Sequence, residues 1–563
     1  MTEPLRVRWL GRVPYREALA VQHSLFEHGT GQHLLLLEHP HVFTHGRTAD
    51  LASNLRCEPA AVGAELVAVK RGGDITYHGP GQLVGYPIVN VGNRLGASDH
   101  VCDVEGLVID ALAELGLPNA GRLAGFAGVW LDVDQPGVEP RKICAIGVRL
   151  ARGRTMHGFA LNVSTDLTYM RDHIVPCGIG DKPVTSLAEE GIDVPMRDVV
   201  DVIARLAAER WAPEAVGAGA VERQDVAWKH DIDGRDLSAF SRGEGAGDQV
   251  KPVSGRAAAR LEAAGVTGGL SIETRKPEWL RPRVVHDADV MTLKRTVRQL
   301  DLVTVCEDAG CPNLSECWAD GTATFMVLGE RCTRACGFCL VDTSKPLPPA
   351  ADEPERVAEA IERMDLDHAV LTMVARDDLA DGGMAHVAAC VETIRTRRPG
   401  TRVETLISDA KGDDAALDVL FAAAPDVLNH NVETVARLQR AVRPSAGYAR
   451  SLGVLARSKA AGLVTKTGFM VGLGETDDEV VGLLADLADL GVDIVTIGQY
   501  LRPTSNHLPI ERYAEPAEFA RWKQVGERFG LGHVEASPLT RSSYHAKHAA
   551  DSANPVPVAL AAR

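Results

Sequence analysis

The chain has 563 residues, of which 45% are hydrophobic and 24% charged, and its formal net charge is −16. This composition is typical of a globular protein with two or more cores and excludes a disordered chain. The negative charge argues against a general nucleic-acid binder, which needs clustered positive charge. Because the sequence has neither a run of eighteen apolar residues nor an apolar leader, we expect a cytoplasmic protein without a membrane segment.

The N-terminal part alternates short apolar runs with Gly, Pro and His from residue 31 to 95, which predicts strands joined by tight connections. A helical pattern follows at about 99–116 and ends at Gly116. Two further strands are predicted in KICAIGVRLARGRTMHGFALNV, folded back on each other around residues 152–155. Together these elements predict a mixed α/β domain.

Large apolar residues are scarce between 236 and 270, and this segment is predicted to be a linker that contains a short Ala-rich helix. From residue 320 onward, apolar strand patterns alternate six times with helical patterns. This alternation predicts parallel strands with helical crossovers and a barrel or partial barrel, with functional residues at the strand ends. We therefore predict an α/β protein with domains at 1–235 and 271–563.

Six of the eleven cysteines fall between positions 306 and 339, a density that favours metal ligation over disulfides. They form a C-x4-C-x5-C triplet and a C-x3-C-x2-C triplet, which are Cys306, Cys311, Cys317 and Cys332, Cys336, Cys339. Clustered thiolates select zinc or iron–sulfur, and structural zinc needs four ligands. A four-iron cluster held by three cysteines leaves one iron open to a reactant. A zinc knuckle and a passive electron-transfer cluster are the alternatives.

The second triplet, together with the glycine-rich segment GFMVGLGE, resembles the radical S-adenosylmethionine enzymes. In that family S-adenosylmethionine chelates the open iron, and one electron from the cluster releases a 5′-deoxyadenosyl radical. The resemblance implies an adenine-side loop that contains Gly468, Gly472, Gly474 and Glu475. We expect Asn431 and Glu433, near a predicted strand end, to hold polar groups of the cofactor, whereas Arg443 has a solvated surface position as an equal alternative.

The first triplet narrows the resemblance to the lipoyl synthases, with CPNLSECW, ARDDLADGG and RSSYHA as further matching segments across about 271–550. The resemblance implies a second [4Fe-4S] cluster, held by Cys306, Cys311, Cys317 and the displaceable oxygen of Ser543. Its sulfur would be inserted at C6 and C8 of an octanoyl chain, with electrons from a donor such as ferredoxin or flavodoxin. The segment LISDAKGD departs from the IPDF expected there, which puts the local wall contacts in doubt.

Cys177 lies between Pro176 and Gly178, on a predicted turn where a thiol can be exposed. A catalytic thiol needs a nearby cation or base, for which Lys142 and His78 are the candidates. The segments RGGDITYHGPGQ, RKICAIG, HGFALNV and VPCGIGDKPVTSL resemble the octanoyl–acyl-carrier-protein:protein transferases across residues 5–215, which implies the fold of the biotin and lipoate protein ligases. The resemblance implies that Cys177 accepts octanoyl as a thioester and that Lys142 lowers its pKa.

The same resemblance implies an acyl pocket whose lining comes from three segments. The predicted substrate-binding residues are Arg71, Gly72, Gly73, Asp74, Ile75, Thr76, Tyr77, His78, Ala145, Ile146, Gly147, Gly158, Phe159 and Ala160. The implied partners are octanoyl-acyl carrier protein, the lipoyl domains of 2-oxoacid dehydrogenase E2 subunits and the glycine cleavage H protein. An ATP-dependent lipoate or biotin ligase is the alternative for this half, and a non-catalytic iron–sulfur protein for the other.

Three smaller features complete the predictions for the N-terminal half. Five basic residues and no acidic ones lie between Arg141 and Arg154, which predicts a docking surface for the acidic carrier, with a solvated hairpin as the alternative. His39, His41 and His45 are interpreted as turn residues rather than metal ligands. Cys57, Cys102 and Cys144 are expected to be small buried residues.

Overall fold

The computed structural model describes residues 4–46, 49–92, 96–176, 182–212, 221–228, 255–266, 268–270, 274–280, 295, 299–300, 302–304, 313, 316–317 and 322–553. The chain forms two compact units, Met1–Val226 and Ala227–Arg563. Within the described ranges, no helix combines the length and the apolar character needed to cross a membrane.

The first unit is a mixed α/β structure. Its strands are β1 (Leu5–Arg12), β2 (Gln32–Glu38), β3 (Val42–His45), β4 (Glu65–Ala68), β5 (Thr76–His78), β6 (Gln82–Ile88), β7 (Ala120–Leu123), β8 (Phe126–Leu131), β9 (Arg141–Ala151), β10 (Arg154–Asn162) and β11 (Val221–Asp225). Its helices are Tyr15–His28, Leu51–Asn54, Ala97–Glu114, Thr168–Arg171 and Met196–Trp211. The predicted helix at 99–116 is thereby confirmed within two residues at each end.

The large sheet of this unit has the order β11-β1-β2-β6-β10-β9-β8-β7, and a small sheet has the order β4-β3-β5. Every residue of β6 and β10 is buried, which fits their central place in the large sheet. The predicted hairpin is confirmed, because β9 and β10 pair antiparallel with Ala151 opposite Arg154. Arg152 and Gly153 form its turn with φ values of 54° and 74°, as a tight hairpin of this hand requires.

The second unit is built from alternating strands and helices. Its strands are β12 (Val303–Thr304), β13 (Thr322–Val327), β14 (His368–Met373), β15 (Arg402–Leu406), β16 (Val427–Asn429), β17 (Thr465–Val471), β18 (Ile494–Gln499) and β19 (His533–Ala536). Its helices are Gly255–Ala263, Glu353–Arg363, Met384–Arg397, Asp414–Ala422, Gln439–Val442, Tyr448–Ala460, Asp477–Asp489, Pro516–Arg528 and Ala546–Ala553. Helix Gly255–Ala263 confirms the Ala-rich helix expected near the linker, whose first part, 236–254, lies outside the described residues.

Strands β13 to β19 run parallel in chain order, and β12 pairs antiparallel with β13 at one edge. In the described part of the chain the sheet stays open, as a partial barrel does. Because all seven parallel strands point the same way, the loops that follow them meet at one edge of the sheet. The predicted cluster and cofactor segments follow β13, β16, β17 and β19 at that edge.

Candidate functional sites

A cavity of about 50 Å³ in the first unit lies against strands β5, β6, β9 and β10. The residues that line it are Tyr15, Arg71, Gly73, Thr76, His78, Tyr86, Ala145, Ile146, Gly147, His157, Gly158, Phe159 and Ala160. The fold therefore brings the three predicted substrate segments together around one cavity. Gly72, Asp74, Ile75 and Tyr77 do not line it, whereas Tyr15, Tyr86 and His157 do and were not predicted.

Arg71 lines one side of this cavity, and its guanidinium is hydrogen-bonded to neighbouring residues. Its Nη2 donates to the carbonyl oxygen and the hydroxyl of Thr44 at 2.8 and 3.0 Å, and its Nη1 donates to the carbonyls of Gly72 and Asp74. A Cβ added to Gly147 would lie 3.3 Å from Cδ of Arg71. Gly147 thus leaves room for the apolar stem of Arg71, and this stem forms part of the cavity wall.

Gly158 has a different role from the one expected for a channel residue. A Cβ added there would lie 2.2 Å from the carbonyl oxygen of Gly85 and 2.5 Å from Cδ of Pro87, both on strand β6. Gly158 is therefore required by the close approach of β10 to β6. Its small size is needed for the pairing of these strands, whether or not it also leaves room in the cavity.

Besides Arg71, the polar side of the cavity contains the buried His78, whose ring lies 5.7 Å from that of His39. Nδ1 of His78 donates a hydrogen bond to Oε1 of Gln82 at 2.8 Å, and burial lowers the pKa of His78 well below the ordinary value. His39 contacts the carbonyl of Val13 and the hydroxyl of Tyr86 at 2.7 and 2.8 Å, and burial lowers its pKa to about 4. Both rings are neutral at neutral pH, so His78 does not supply a cation to a nearby thiol.

Lys142 is buried on β9, with 6% of its surface exposed and its Nζ 4.8 Å from the centre of the Trp130 ring. Its backbone N–H donates to the carbonyl of Pro183, and its carbonyl accepts from the N–H of Thr185, each at 2.9 Å. Lys142 is thus paired with the chain shortly after position 177. Cys177 itself lies outside the described residues.

The three neighbouring histidines contact separate partners. His39 is fully buried, Nδ1 of His41 contacts the hydroxyl of Tyr77 at 2.7 Å, and Nδ1 of His45 contacts the carbonyl of Gly46 at 3.2 Å. His39 and His41 lie in the connection between β2 and β3, as predicted, and His39 is in addition buried in the core, whereas His45 is the last residue of β3 rather than a turn residue. Of the three cysteines expected to be buried, Cys144 is buried, whereas Cys57 is partly exposed and Cys102 is exposed. The prediction is wrong for Cys102, which lies on the outer face of helix Ala97–Glu114.

In the second unit, Cys332, Cys336 and Cys339 lie in the loop after β13 and are all partly buried. Neighbouring segments fix the backbone of this loop: the N–H of Cys332 donates to Asp342 at 2.8 Å, that of Gly337 to Val442 at 2.9 Å. Burial raises the pKa of Cys336 to about 12 and that of Cys339 to about 11. Without a cluster these thiols stay protonated, so cluster binding must release their protons.

The donor chemistry of this loop fits an iron–sulfur cluster better than a single metal ion. The loop offers three cysteines, and no fourth Cys or His lies nearby in sequence. In tetrahedral zinc sites, bonds of about 2.3 Å bring sulfur atoms to within about 4 Å of each other. Among the described residues, no three His, Cys, Asp or Glu side chains are arranged to hold one metal ion. The charges of Cys332 and Cys339 act on the pKa of Cys336, so the three thiols lie near one another, as the ligands of one cluster do.

Asn431 and Glu433 follow β16 and form part of a buried polar group next to the cysteine loop. Nδ2 of Asn431 donates to Oε1 of Glu433 at 3.1 Å and to Oγ of Ser542 at 2.8 Å. Arg443, 7% exposed, donates to the carbonyl of Asn431 at 3.0 Å, so its surface alternative is wrong. Burial raises the pKa of Glu433, and Oδ1 of Asn431 is buried without a hydrogen-bond partner in the described chain. An unpartnered buried oxygen of this kind can accept a hydrogen bond from a ligand.

The glycine-rich loop follows β17 and leads into helix Asp477–Asp489. Glu475 closes the loop, because its carboxylate accepts from the N–H of Gly472 at 2.6 Å and of Leu473 at 2.9 Å. Gly472 and Gly474 have φ values of 98° and 107°, which favour glycine. A Cβ on Gly474 would lie 2.5 Å from Cγ2 of Val266. The segment after helix Gly255–Ala263 therefore packs directly on this loop.

Of the first triplet, Cys317 lies in the described chain, and Cys306 and Cys311 lie outside it. The N–H of Cys317 donates to the carbonyl of Asn313 at 3.0 Å, and Nδ2 of Asn313 donates to the carbonyl of Leu539 at 2.8 Å. The hydroxyl of Tyr544 donates to Oε1 of Glu316 at 3.2 Å. These contacts bring Cys317 next to the segment that contains Ser543.

Comparison with known proteins agrees with this arrangement. The family described as "Lipoyl protein ligase A/B catalytic domain" matches residues 14–207, and the radical SAM superfamily matches residues 326–498. The chain is 54% identical over 273 residues to a lipoyl synthase of Rubrobacter xylanophilus, which covers 48% of this chain and 85% of that protein. The chain belongs to the lipoyl synthase family.

Other lipoyl synthases match to a similar extent. That of Chlorobium phaeobacteroides is 49% identical over 280 residues, covering 49% of this chain and 97% of that protein. A bipartite lipoate protein ligase structure from Thermoplasma acidophilum covers 40% of this chain and 87% of that chain, with 18% identity and a TM-score of 0.33. The two family matches and the lipoyl synthase relatives show that the chain joins a lipoyl protein ligase-type catalytic domain to a lipoyl synthase domain, and that it is an enzyme of lipoate assembly that uses radical S-adenosylmethionine and iron–sulfur chemistry.

The segment LISDAKGD of the lipoyl synthase domain departs from the expected family pattern, and the structure shows what it contacts. Asp409 in this segment is fully buried and accepts a hydrogen bond of 2.6 Å from Arg334, which lies between Cys332 and Cys336. The Arg334 guanidinium outweighs burial and holds the pKa of Asp409 far below its ordinary value. The unusual segment therefore keeps an ionic contact to the cysteine loop.

Proposed function

We propose that this chain carries out two consecutive steps: octanoyl transfer from acyl carrier protein to a lysine of a lipoyl domain, then insertion of two sulfur atoms at C6 and C8 of that octanoyl group. The observation that carries this proposal is the presence, in one chain, of a cavity lined by β9, the strand that also carries Lys142, and of a lipoyl synthase domain. The product of the first step is the substrate of the second.

In the first step Cys177 is the nucleophile. Its thiolate attacks the thioester carbonyl of the octanoyl carrier, the carrier's phosphopantetheine thiol leaves, and octanoyl-Cys177 forms. The acceptor lysine amine then attacks this thioester, an amide forms, and the Cys177 thiol is released. Lys142 supports this assignment because it is buried and is hydrogen-bonded to Pro183 and Thr185, a few residues beyond Cys177. A cation held there lowers the pKa of a neighbouring thiol.

Cys177→Ser and Lys142→Met test the first step with purified octanoyl carrier and a lipoyl domain. We expect both variants to lose octanoyl transfer, measured as the mass shift of the lipoyl domain, and the wild type to work without ATP. A Cys177-bound octanoyl group should be visible by intact-protein mass spectrometry when the acceptor is omitted. ATP-dependent activity that survives Cys177→Ser would instead support a lipoate or biotin ligase.

In the second step Cys332, Cys336 and Cys339 hold one [4Fe-4S] cluster, with S-adenosylmethionine bound beside Asn431, Glu433 and the loop Gly468–Glu475. When bound, this cluster and S-adenosylmethionine supply the radical that removes hydrogen from the octanoyl chain. Asn431 positions the cofactor through its unpartnered buried oxygen, and Arg443 fixes the backbone of Asn431. Release of 5′-deoxyadenosine under reducing conditions distinguishes this chemistry from a passive iron–sulfur carrier.

Cys306, Cys311, Cys317 and Ser543 hold a second [4Fe-4S] cluster, which is consumed as the sulfur substrate. The position of Cys317 beside the Ser542–Tyr544 segment supports this ligand set. A variant with Cys306, Cys311 and Cys317 all replaced by alanine should fall from two clusters to one, measured by anaerobic iron and sulfide analysis with electron paramagnetic resonance. That variant should still cleave S-adenosylmethionine but insert no sulfur. Two clusters in the variant would contradict the assignment.

The partners follow from this chemistry. The acceptors are lipoyl domains of 2-oxoacid dehydrogenase E2 subunits and the glycine cleavage H protein, and a ferredoxin or flavodoxin in the cytoplasm supplies the electrons. Arg149 and Arg152 form the docking surface for the acidic carrier: both lie over the ring of Phe26, at 4.9 and 5.5 Å, and Arg152 is 66% exposed although it also pairs with Glu27. Arg141 and Arg154 do not belong to it: Arg141 is paired with Asp132 and Glu190, and Arg154 is buried.

A further inference from the structure

His157 is a buried histidine on β10 that lines the acyl cavity of the first unit. Only 3% of its surface is exposed, and its Nδ1 is buried with no hydrogen-bond partner among the described residues. Its φ is 63°, in the left-handed region that non-glycine residues rarely adopt. A strained backbone and an unpartnered polar atom at the same buried position indicate a function beyond packing.

The strand register gives the position of His157 along the cavity. Ala160 pairs with Ala145 and His157 pairs with Val148, so the two pairs are three residues apart along β9. At about 3.3 Å per residue, this separation is about 10 Å. Ala145 lies nearer to Lys142 along β9, so the Ala145–Ala160 pair marks the reactive end of the cavity and His157 the far end.

This length matches an eight-carbon chain. A fully extended backbone advances about 3.6 Å over its three bonds, or about 1.2 Å per bond, so seven carbon–carbon bonds span about 8 Å. A chain whose carbonyl lies at the Ala145–Ala160 pair would therefore end about 2 Å before the position of His157. Two further carbons would press the apolar chain end against the imidazole ring.

The ring is polar but uncharged. Burial, with smaller contributions from Arg71, His23 and Arg149, lowers the pKa of His157 to about 3. A neutral imidazole has one donor and one acceptor, and in water both are hydrogen-bonded. Nδ1 is already shielded from water, so an alkyl end that displaces water from the rest of the ring leaves its other nitrogen unsatisfied as well, which weakens binding.

We propose that His157 closes the far end of the acyl cavity and determines chain length, admitting eight carbons and rejecting longer chains because their apolar ends would desolvate the ring. This inference rests on the proposed octanoyl transfer. His157 lies outside the catalytic pair, Cys177 and Lys142, and its role would be to set the length of the acyl chain.

The test compares kcat/KM for hexanoyl, octanoyl, decanoyl and dodecanoyl carriers with the full-length enzyme. His157→Leu removes the polarity of the side chain. His157→Gly removes the ring and relieves the strain of the left-handed backbone, so it still tests the proposal if the leucine variant misfolds. In both variants we expect the decanoyl-to-octanoyl ratio of kcat/KM to rise about tenfold, which corresponds to about 1.4 kcal/mol. His157→Asn tolerates the left-handed backbone, retains polarity and should keep the wild-type ratio.

His100 offers a matched control. It is a fully buried histidine on helix Ala97–Glu114, both of its ring nitrogens are without hydrogen-bond partners in the described chain, and it does not line the cavity. His100→Leu should leave the ratio unchanged. An unchanged ratio in His157→Leu and His157→Gly, or an equal loss for all chain lengths, overturns the assignment of His157 while octanoyl transfer by the wild type stands. Failure of the wild type to transfer octanoyl at all overturns the proposed function and this inference with it.

Discussion

The guanidinium of Arg334 donates hydrogen bonds of 2.8 Å to both carboxylate oxygens of Asp377, and it adds a third of 2.6 Å to Asp409. Arg334 lies between two cysteines of the cluster loop, whereas its partners follow the next two parallel strands. Thr333 strengthens the link, because its hydroxyl donates to the carbonyl of Ala375 and accepts from the N–H of Asp377. The loop that holds the cysteines is thus fixed to two neighbouring strands by ionic and neutral hydrogen bonds.

Arg334→Ala should therefore destabilise the lipoyl synthase domain strongly. The side chain of Asp409 is 0% exposed, and removing Arg334 leaves this buried carboxylate with only the more distant Arg450, at 4.0 Å, as a charged partner. Breaking such a pair costs about 3–5 kcal/mol. The free energy of unfolding of this domain, followed by urea titration of the apo protein, measures the effect. Arg331→Ala is the control, since Arg331 is 42% exposed and lies 3.4 Å from Asp342, a contact worth at most about 1 kcal/mol. Equal losses in the two variants would contradict this account.

A second buried pair predicts acid sensitivity of the same domain. Nζ of Lys466 lies 2.9 and 3.0 Å from the two oxygens of Glu404, and both side chains are fully buried. Burial alone would raise the pKa of Glu404, but Lys466, with His368, outweighs it and lowers the pKa to about 2. Because the folded pKa lies below the unfolded value, this stabilisation is present above about pH 4.5 and is lost as pH falls toward 2.

The double variant Glu404→Gln, Lys466→Met removes this dependence. Between pH 5 and pH 2, the wild type should lose about 3 kcal/mol more unfolding free energy than the double variant, since each unit of pKa shift is worth about 1.4 kcal/mol. At pH 7 the double variant should be nearly as stable as the wild type, because a buried ion pair offsets much of its own desolvation. Urea titrations across this pH range provide the measurement, and parallel pH curves would rule out a contribution from Glu404.

Some of these features follow from the sequence and others depend on the fold. The cysteine spacings and the strand–helix alternation placed Cys332 and Asn431 at strand ends, because ligand spacing and parallel topology are local properties of the chain. The Arg334–Asp409 pair was not predicted, since 75 positions separate the two residues and only the sheet brings them together. A histidine within a strand, such as His157, gives no signal that distinguishes a cavity residue from a core residue. The exposure of Cys102 likewise depends on which helix face packs on the sheet.

The glycine-rich loop gives a prediction about steric fit. Gly474→Ala adds a Cβ within 2.5 Å of Cγ2 of Val266, at a φ of 107° that alanine disfavours. We expect the dissociation constant for S-adenosylmethionine to rise more than tenfold, measured by equilibrium dialysis with the reconstituted enzyme. Adding Val266→Ala should recover part of the affinity by removing the steric conflict, while the backbone strain remains. Gly462→Ala is the control for backbone strain alone. Gly462 has a φ of 81°, which alanine disfavours, but there is open space where its Cβ would lie, so no steric conflict is added. If the second substitution recovers nothing, Val266 does not shape this loop.

The Arg149–Arg152 surface gives a prediction about association with the carrier. Arg149→Glu combined with Arg152→Glu replaces two positive charges with negative ones, so an acidic carrier should be repelled. At low salt the apparent KM for the octanoyl carrier should rise about tenfold with little change in kcat, because electrostatic complementarity acts mainly on encounter. The difference should shrink as salt shortens the Debye length to a few ångströms. Arg205→Glu is the control, since Arg205 is 49% exposed on helix Met196–Trp211 and is not one of the arginines that lie over the ring of Phe26. A similar rise in KM for Arg205→Glu would point to net charge, rather than to this surface, as the cause.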